Sequence, residues 1–524
     1  MKKHISVLLL ICLLLSVLLT GCSQENPEPQ LNIIDDKYRN WYEIFVHSYY
    51  DTNNDGIGDL QGVIQKLDYI QEMGFNGIWL MPIHPSPTYH KYDVKDYYAI
   101  DPAYGTLEDL DQLVTEAHKR GIKVILDLVV NHSSSNHPMF MEACDYIREH
   151  GEPGGTYGEF YNFSRQKTDG YSAVSGTPFY YESRFWSGMP DLNLDSQLVR
   201  DEIVKIMDYW MTGHKVDGFR LDAVTSYYTG DLKKNVQFLS WLNTEAKKIN
   251  PDCYIVGEAW VGSDGMIADY YESGVDSFFL FTGSQGSGTI ATNVKQCSGR
   301  AFAKWQVDLQ NIYTQGIPAP FLGNHDTMRP GGFMPGQENV KMAAGAMAMM
   351  NGGIFVYYGE EIGMISKGGN NSDPAKRIAM KWMKKNIYPG CCYLPPEGTP
   401  WDETSYYYPS VEEQQADPNS ILNYYKQAMH LRNCFPAIAR GTVENLSLED
   451  NSYIAILRKT YEQERIVIVM NFDSFDQTIT VDPAALGITE GIVGELYNDT
   501  TLKATFDEDT GTLKLPAYAI LILR

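Results

Sequence analysis

The run Lys123-Val-Ile-Leu-Asp-Leu-Val-Val130 is almost wholly apolar and ends at the polar pair Asn131-His132. Its length and its lack of alternation are typical of a strand in a parallel sheet, which is buried on both faces. An amphipathic pattern over Leu107–Arg120 precedes it and ends at Gly121, with basic residues in its last turn, as a helix does. A helix that leads into a doubly buried strand indicates an α/β fold.

Runs of the same kind recur along residues 41–440. The candidate strands are Tyr42–Val46, Gly77–Met81, Lys123–Val130, Gly218–Asp222, Tyr254–Glu258, Ser277–Phe281, Ala319–Leu322 and Ile354–Tyr358. Helical patterns separate them, and the first of these, Asp59–Met73, ends at Gly74. Eight strands separated by helices predict a (β/α)₈ barrel, whose functional site lies at the carboxyl ends of the strands.

Two parts of the chain depart from this alternation. The connection after the third strand is long, rich in Gly, Ser, Tyr and Phe, and lacks a clear helical period. We therefore expect an inserted domain over residues 132–197, between barrel parts at 33–131 and 198–440. Residues 441–524 are expected to form a C-terminal antiparallel β-sandwich. Its candidate strands are Ser452–Arg458, Glu464–Asn471, Gln477–Val481, Thr512–Leu515 and Ala519–Leu523.

The N-terminus is typical of a secretory signal. Lys2 and Lys3 precede an apolar run over Ile5–Leu19, so residues 1–21 are expected to be removed. Leu19-Thr-Gly-Cys22 resembles a bacterial lipobox, which implies cleavage before Cys22 and its acylation. Residues 22–32 would then tether a secreted protein to the outer face of the membrane of the cell envelope. The alternative is an uncleaved anchor, but the run is shorter than the roughly 20 apolar residues of a spanning helix.

The bulk composition sets limits on partners. The 524 residues are 44% hydrophobic and 21% charged, as in folded globular proteins. A formal net charge of −24 repels phosphate backbones, so we expect no nucleic-acid partner. Without Cys12 and Cys22, six cysteines remain and their spacing matches no zinc pattern. One or two disulfides can form outside the cell, and the sequence leaves their pairing and the oligomeric state open.

Three acidic residues close candidate strands. They are Asp222 in GFRLDAV, Glu258 in IVGEAW and Asp326 in FLGNHD. Cleavage of a glycosidic bond needs carboxyl groups in opposite protonation states. Arg220 lies two residues before Asp222, on the same face of the strand, where it keeps that carboxylate ionised, and the apolar neighbours of Glu258 favour its protonated form. Taken singly, each of the three acids also fits a strand-end cap or an ion-pair partner.

Together with DLVVNH at residues 127–132, these motifs resemble the four signature segments of the α-amylase superfamily of retaining glycoside hydrolases. The resemblance covers residues 42–524. It implies that Asp222 is the nucleophile, that Glu258 is the general acid and base, and that Asp326 is the third carboxylate. His132 and His325 are implied to hydrogen-bond the sugar.

Weaker matches extend the implied site. Tyr89-His-Lys-Tyr-Asp93 resembles the segment in which a tyrosine, here Tyr92, stacks on the sugar, with His90 and Asp93 nearby. Arg377 is a candidate substrate residue after strand eight, although Ile378 and Ala379 depart from the usual pattern. Met189-Pro-Asp-Leu-Asn193 resembles the fifth segment of the superfamily, in a form similar to that of a bacterial branch between oligo-1,6-glucosidases and neopullulanases.

The loop Asp51-Thr-Asn-Asn-Asp-Gly-Ile-Gly-Asp59 presents oxygen atoms at alternate positions, as a hard cation requires. It is not an EF-hand, because its twelfth position is Gly62 rather than Glu. An Asx-rich turn without metal is the alternative. The superfamily resemblance implies Ca²⁺, or Mg²⁺ in the same loop. The implied ligands are Asp51, Asn53, Asp55, the Ile57 carbonyl and Asp59.

The expected activity is hydrolysis of α-1,4 bonds in starch, maltodextrin and malto-oligosaccharides through a covalent glycosyl-enzyme. Ala223 after the nucleophile favours α-1,4 linkages by family analogy. The alternatives are a 4-α-glucanotransferase or an exo-acting α-glucosidase of the same fold. A non-catalytic sugar-binding protein is disfavoured because Asp222, Glu258 and Asp326 are all present.

Overall fold

The structure, a computed structural model, describes residues 36–366, 373–385, 390–394, 396 and 407–524. The expected signal segment, Cys22 and the tether lie outside these residues. Within the described ranges, no helix combines the length and the hydropathy needed to cross a membrane.

Eight parallel strands form a nearly closed barrel, as predicted. They are Asn40–Ile44, Gly77–Leu80, Lys123–Leu128, Gly218–Leu221, Tyr254–Gly257, Ser277–Phe279, Ile317–Ala319 and Ile354–Tyr357. The first strand pairs with the second and the eighth, and a bridge between Phe321 and Phe355 joins the seventh to the eighth. The fourth and fifth strands end one residue before Asp222 and Glu258, which places both acids at the carboxyl edge.

Aromatic rings fill the inside of the barrel. Trp41 stacks on Tyr254 at 4.8 Å and on Phe355 at 5.7 Å, between ring centroids. Trp79, Phe279 and other apolar side chains complete this buried cluster. The interior is therefore a packed core, and chemistry is confined to the strand ends and their loops.

The barrel helices follow the predicted alternation, with one break. The first predicted helix is divided at Lys66 into Leu60–Gln65 and Leu67–Glu72, and the Lys66 ammonium lies 4.1 Å from the centroid of the Tyr50 ring. The second, Leu107–Lys119, begins with a capping box at Thr106. The other helices of the described barrel are Gln197–Asp208, Leu232–Ile249, Asp264–Tyr270, Thr289–Lys295, Gly299–Ile312, Pro330–Phe333, Gln337–Ala348, Asp373–Lys376, Val411–Gln415, Ile421–Cys434 and Ala437–Arg440.

The long third connection contains a helix that the sequence analysis did not predict. Pro138–His150 begins with proline at its first turn and ends at Gly151, whose φ of 78° suits a left-handed C-cap. One face of this helix is buried through Phe140, Ala143 and Ile147, so the sequence does contain the helical period. Three short strands follow, Phe163–Ser164, Tyr171–Ala173 and Tyr180–Glu182.

The C-terminal part is an antiparallel sandwich, as predicted. Its larger sheet contains Thr442–Asn445, Ile454–Tyr461, Glu464–Asn471, Ile492–Leu496 and Ile520–Leu523. Its smaller sheet contains Gln477–Thr480, Thr505–Asp507 and Thr512–Leu515, and a single helical turn, Pro483–Leu486, follows the first of these. The buried Lys459 ammonium donates to Met349 O (2.7 Å) and Ile438 O (2.8 Å), which ties the sandwich to the barrel.

Among the described residues, Cys144, Cys253, Cys297, Cys391 and Cys392 form no disulfide bond.

Candidate active site

One buried guanidinium organises the carboxyl ends of three neighbouring strands. Arg220 Nη1 donates to Asp222 Oδ1 (2.7 Å) and to Asp127 Oδ1 (2.8 Å). Arg220 Nη2 lies 2.9 Å from Glu258 Oε2. Arg220 is fully buried, and Asp222 and Glu258 are each 7% exposed, so these charges interact in a medium that screens them weakly. The two predicted catalytic acids therefore face each other across one cation.

The backbone between the fourth and fifth strands holds this arrangement. Gly218 has a φ of 149°, and a Cβ there would lie 1.9 Å from Tyr254 O, so only glycine lets these strands approach. Ala223 has a φ of 48°, a conformation that non-glycine residues rarely adopt. This turn directs the Ala223 N–H to Glu258 Oε2 at 2.9 Å. The strand end thus positions the acid carboxyl through a main-chain donor.

Glu258 has the protonation behaviour of a general acid. Burial raises the pKa of Glu258 to about 7, against the lowering effect of Arg220. Burial likewise raises the pKa of Asp127 to about 6. A carboxyl group that is half protonated near neutral pH can give a proton to a leaving oxygen and later take one from water.

The third predicted acid belongs to a second charged group. Asp326 Oδ1 accepts from Arg377 Nη2 at 2.7 Å, and Asp326 Oδ2 lies 2.9 Å from His325 Nε2. Burial works to raise the pKa of Asp326, but the His325 and Arg377 cations hold it well below its usual range. These cations favour the ionised form of Asp326, whose side chain is 26% exposed and so can face a ligand.

Tyr92 joins the two charged groups. Its hydroxyl lies 2.7 Å from His325 Nε2 and accepts from Arg220 Nη1 at 3.3 Å. It also donates to Asp127 Oδ2 at 3.2 Å. The structure therefore brings Asp222, Glu258 and Asp326 into one connected network.

The remaining predicted substrate residues lie around this network. His132 is buried, and its Nε2 has no hydrogen-bond partner within the described residues, which leaves it for a ligand hydroxyl. Burial lowers the pKa of His132, which favours the neutral ring. His90 Nδ1 lies 4.0 Å from Asp93 Oδ1, and burial together with the Arg377 charge lowers the pKa of His90 to about 4.

Two buried acids of the network were missed as site residues. Asp127 pairs in register with Arg220 across adjacent strands, so the alternation of the third strand could have identified it. Glu43, in the first strand, lies 2.6 Å from His325 Nδ1. A carboxylate between the apolar side chains of Tyr42 and Ile44 is itself an unusual feature, because buried acids need partners.

Half-exposed aromatic rings lie beside the network. Trp260, two residues after Glu258, is 48% exposed and stacks on Phe281 at 4.7 Å. Phe185, on the inserted segment, is 50% exposed and contacts the His132 ring at 5.2 Å. Flat apolar rings of this kind suit the faces of sugar rings.

The predicted metal loop is a series of Asx turns. Asp51 Oδ1 accepts from Asn53 N (3.0 Å), Asn53 Oδ1 from Asp55 N (2.9 Å), and Asp55 Oδ1 from Ile57 N (2.8 Å). Asp59 accepts from Thr52 N at 2.9 Å. The oxygen-only donor set suits a hard cation. Within the described ranges, no group of three or more His, Cys, Asp or Glu side chains converges as a metal site.

A parallel barrel with opposed carboxyl groups at the ends of its fourth and fifth strands defines a class of glycoside hydrolases. Residues 43–441 match the family model described as "Alpha amylase, catalytic domain". The chain belongs to the α-amylase family.

Known members of the family resemble the chain over most of its length. "Alpha-amylase 3" of Dictyoglomus thermophilum is 38% identical over 450 residues, which cover 84% of this chain and 86% of the relative. The structure of Amy13B from Eubacterium rectale superposes with a TM-score of 0.89 and 41% identity, covering 96% of this chain and 98% of that one. An oligo-1,6-glucosidase of Parageobacillus thermoglucosidasius is 29% identical over 509 residues, covering 82% of this chain and 89% of the relative.

Proposed function

We propose that this glycoside hydrolase cleaves α-1,4 bonds of starch, maltodextrin and malto-oligosaccharides with retention of anomeric configuration. Asp222, ion-paired with Arg220, attacks the anomeric carbon while Glu258 protonates the departing oxygen, giving a glycosyl ester on Asp222. Glu258 then takes a proton from water, which attacks the ester and releases the sugar. The anionic Asp326 stabilises the cationic sugar ring in both transition states.

The observation that carries this proposal is the shared contact of Arg220 with Asp222 and Glu258. One guanidinium contacts both carboxyl groups, which supports the short separation of the two acids that a retaining mechanism requires. Burial then raises the pKa of Glu258 to about 7, which gives the pair opposite roles.

The substrate proposal rests on different features. Trp260 and Phe185 offer apolar rings beside the acids, so several sugar units of a chain can be held together. Ala223 at the turn after the nucleophile supports α-1,4 over α-1,6 linkages by family analogy. The similarity to an enzyme named α-amylase at 38% identity supports the same choice.

A time course of products from maltoheptaose and amylose tests the proposal. Early short oligosaccharides with α-anomeric ends support an endo-acting retaining amylase. Glucose as the sole product indicates the exo-acting α-glucosidase instead, and chains longer than the substrate indicate the glucanotransferase. The absence of turnover by a folded protein refutes hydrolysis and favours a sugar-binding protein. Parallel assays on isomalto-oligosaccharides test the α-1,4 preference.

We also propose that the Asp51–Asp59 loop binds Ca²⁺, or Mg²⁺ in the same position, as a stabilising ion. Support comes from the alternation of oxygen donors and from the carboxylate of the fully buried Asp51. Isothermal titration calorimetry with Ca²⁺, after a chelator has removed bound metal, is expected to show one binding site. The affinity of this site for Ca²⁺ should be lower in the variant Asp55→Asn. Asp55 is exposed, so this substitution should not disturb the fold. The same affinity in both proteins, or no binding in either, contradicts the proposal.

A lipid anchor at Cys22 is proposed as the means of localisation at the outer face of the membrane. The support is the sequence Leu19-Thr-Gly-Cys22 after an apolar segment. Metabolic labelling with palmitate is expected to mark the native protein and not a Cys22→Ala variant. A labelled variant contradicts the proposal.

A further inference from the structure

The buried contact between Glu43 and His325 is not used in the reaction described above. Glu43 is the penultimate residue of the first barrel strand and is 1% exposed, and His325 is fully buried. Glu43 Oε1 lies 2.6 Å from His325 Nδ1 and also accepts from the main-chain N–H of His325 at 3.4 Å. The ring and the backbone of His325 are therefore both held by one carboxylate from another strand.

The other ring nitrogen of His325 also faces acceptors. His325 Nε2 lies 2.9 Å from Asp326 Oδ2 and 2.7 Å from the Tyr92 hydroxyl. The Tyr92 hydroxyl also lies 3.2 Å from Asp127 Oδ2, a second acceptor for its single proton. A neutral imidazole carries one N–H, whereas Nδ1 faces the Glu43 carboxylate and Nε2 faces the Asp326 carboxylate. Only the imidazolium form donates to both carboxylates at once.

We propose that Glu43 is a positioning residue that keeps His325 an imidazolium, and that this cation holds Asp326 ionised and oriented toward the sugar. The role given to Asp326 rests on the proposed function. Glu43 contacts His325 rather than Asp222, Glu258 or Asp326, so it acts on the site through the His325 ring.

The charged and titratable groups that face His325 come from several elements. Glu43 lies on the first strand, Tyr92 follows the second, Asp127 lies on the third, and Asp326 is adjacent in the chain. Arg377, after the eighth strand, opposes them: its Nε donates to His325 O at 3.1 Å. Burial also works against the charged ring, yet Asp326 and Glu43 raise the pKa of His325 to about 9.

The replacement Glu43→Gln tests the proposal, because it keeps the size and an oxygen acceptor but removes the charge. Removing an opposite charge at contact distance shifts a pKa by about 1–3 units, so His325 should lose its proton at a correspondingly lower pH. Side-chain ¹⁵N NMR of ¹⁵N-histidine-labelled protein reads this directly, with His325 assigned by its loss in His325→Asn. We expect both His325 nitrogens to be protonated at pH 7.5 in the native protein, and a titration at least about one unit lower in Glu43→Gln.

Kinetics provide the second readout. With 4-nitrophenyl α-maltoside, whose cleavage depends little on the proton of Glu258, kcat/KM should begin to fall at a lower pH in Glu43→Gln than in the native protein. Glu43→Asp, which restores the charge, should reverse that change part of the way. A purely structural role would lower kcat/KM equally at all pH values. A neutral His325 at pH 7.5 in the native protein overturns the proposal, even if Glu43→Gln fails to fold. So does a titration that the substitution leaves unchanged.

The NMR measurement needs no substrate, so it separates this proposal from the proposed function. A charged His325 in a protein that forms β-anomeric products contradicts retention and leaves the role of Glu43 intact. A neutral His325 in an amylase that retains the anomeric configuration contradicts the role of Glu43 and leaves the proposed function intact.

Discussion

The alkaline pH limb of the reaction should belong to Glu258. Burial raises the pKa of Glu258 from 4.5 to about 7. Each pKa unit is a factor of ten, so at pH 7 about half of the molecules carry the proton, against about 0.3% for an unshifted carboxyl group. Because the raised pKa keeps the acid form only below about 7, raising the pH from 7 to 9 should lower kcat/KM for maltoheptaose about fiftyfold.

A substrate with an activated leaving group provides the control. 4-Nitrophenyl α-maltoside expels a weakly basic phenolate that needs little protonation, so its kcat/KM should be almost flat over the same pH range. In Glu258→Gln, kcat/KM for maltoheptaose should fall by about a thousandfold, and that for the nitrophenyl substrate should fall much less. Buffers of constant ionic strength and circular dichroism at each pH exclude unfolding. An equal alkaline decline for both substrates, or equal losses in Glu258→Gln, would refute the assignment of Glu258 as the acid.

Four further substitutions test other parts of the account. Arg220→Lys should lower kcat/KM for maltoheptaose at least about a hundredfold, because one ammonium cannot contact both Asp222 and Glu258 as the guanidinium does. Steady-state kinetics measures this loss. Arg377→Gln should lower kcat more than it raises KM, because a partner of the Asp326 anion is lost; an unchanged kcat would contradict this. Trp260→Ala should raise KM for maltoheptaose about fivefold through lost stacking, with little change in unfolding temperature. Lys459→Met should destabilise the protein by about 3 kcal/mol by leaving buried carbonyls unpaired, and chemical denaturation that shows no change would remove its assigned role.

The fold was largely readable from the sequence because burial on both faces leaves a strong signal. Seven of the eight predicted barrel strands match the observed strands to within two residues at each end, whereas the seventh, predicted at Ala319–Leu322, shares only Ala319 with the observed Ile317–Ala319. Most of these errors lie at the carboxyl ends, because apolar residues such as Val129 and Val130 continue the buried run beyond the last ladder pair, Leu128 with Leu221. The helix Pro138–His150 was missed because aromatic and polar residues around it obscured its period. Its proline start and the glycine after it were nevertheless present.

The candidate site was partly predictable. Alternation in the fourth strand correctly placed Arg220 on the face of Asp222, which the structure confirms with a 2.7 Å contact. The association of Asp326 with Arg377 was not predicted, because 51 residues separate them along the chain. Glu43 was missed for a similar reason: its partner His325 is 282 residues away, and only the closed barrel brings the first and seventh strand ends together.

In the proposed reaction, Asp222 forms a covalent bond with the sugar. Incubation of the enzyme with a fluorinated maltosyl fluoride, which slows hydrolysis of the intermediate, followed by peptic digestion and mass spectrometry, tests it most directly. The account predicts one added glycosyl unit per protein molecule, located on the peptide that contains Asp222, and none in Asp222→Asn. A label on another residue, or an active enzyme that accumulates no adduct and releases β-anomeric products, would contradict it.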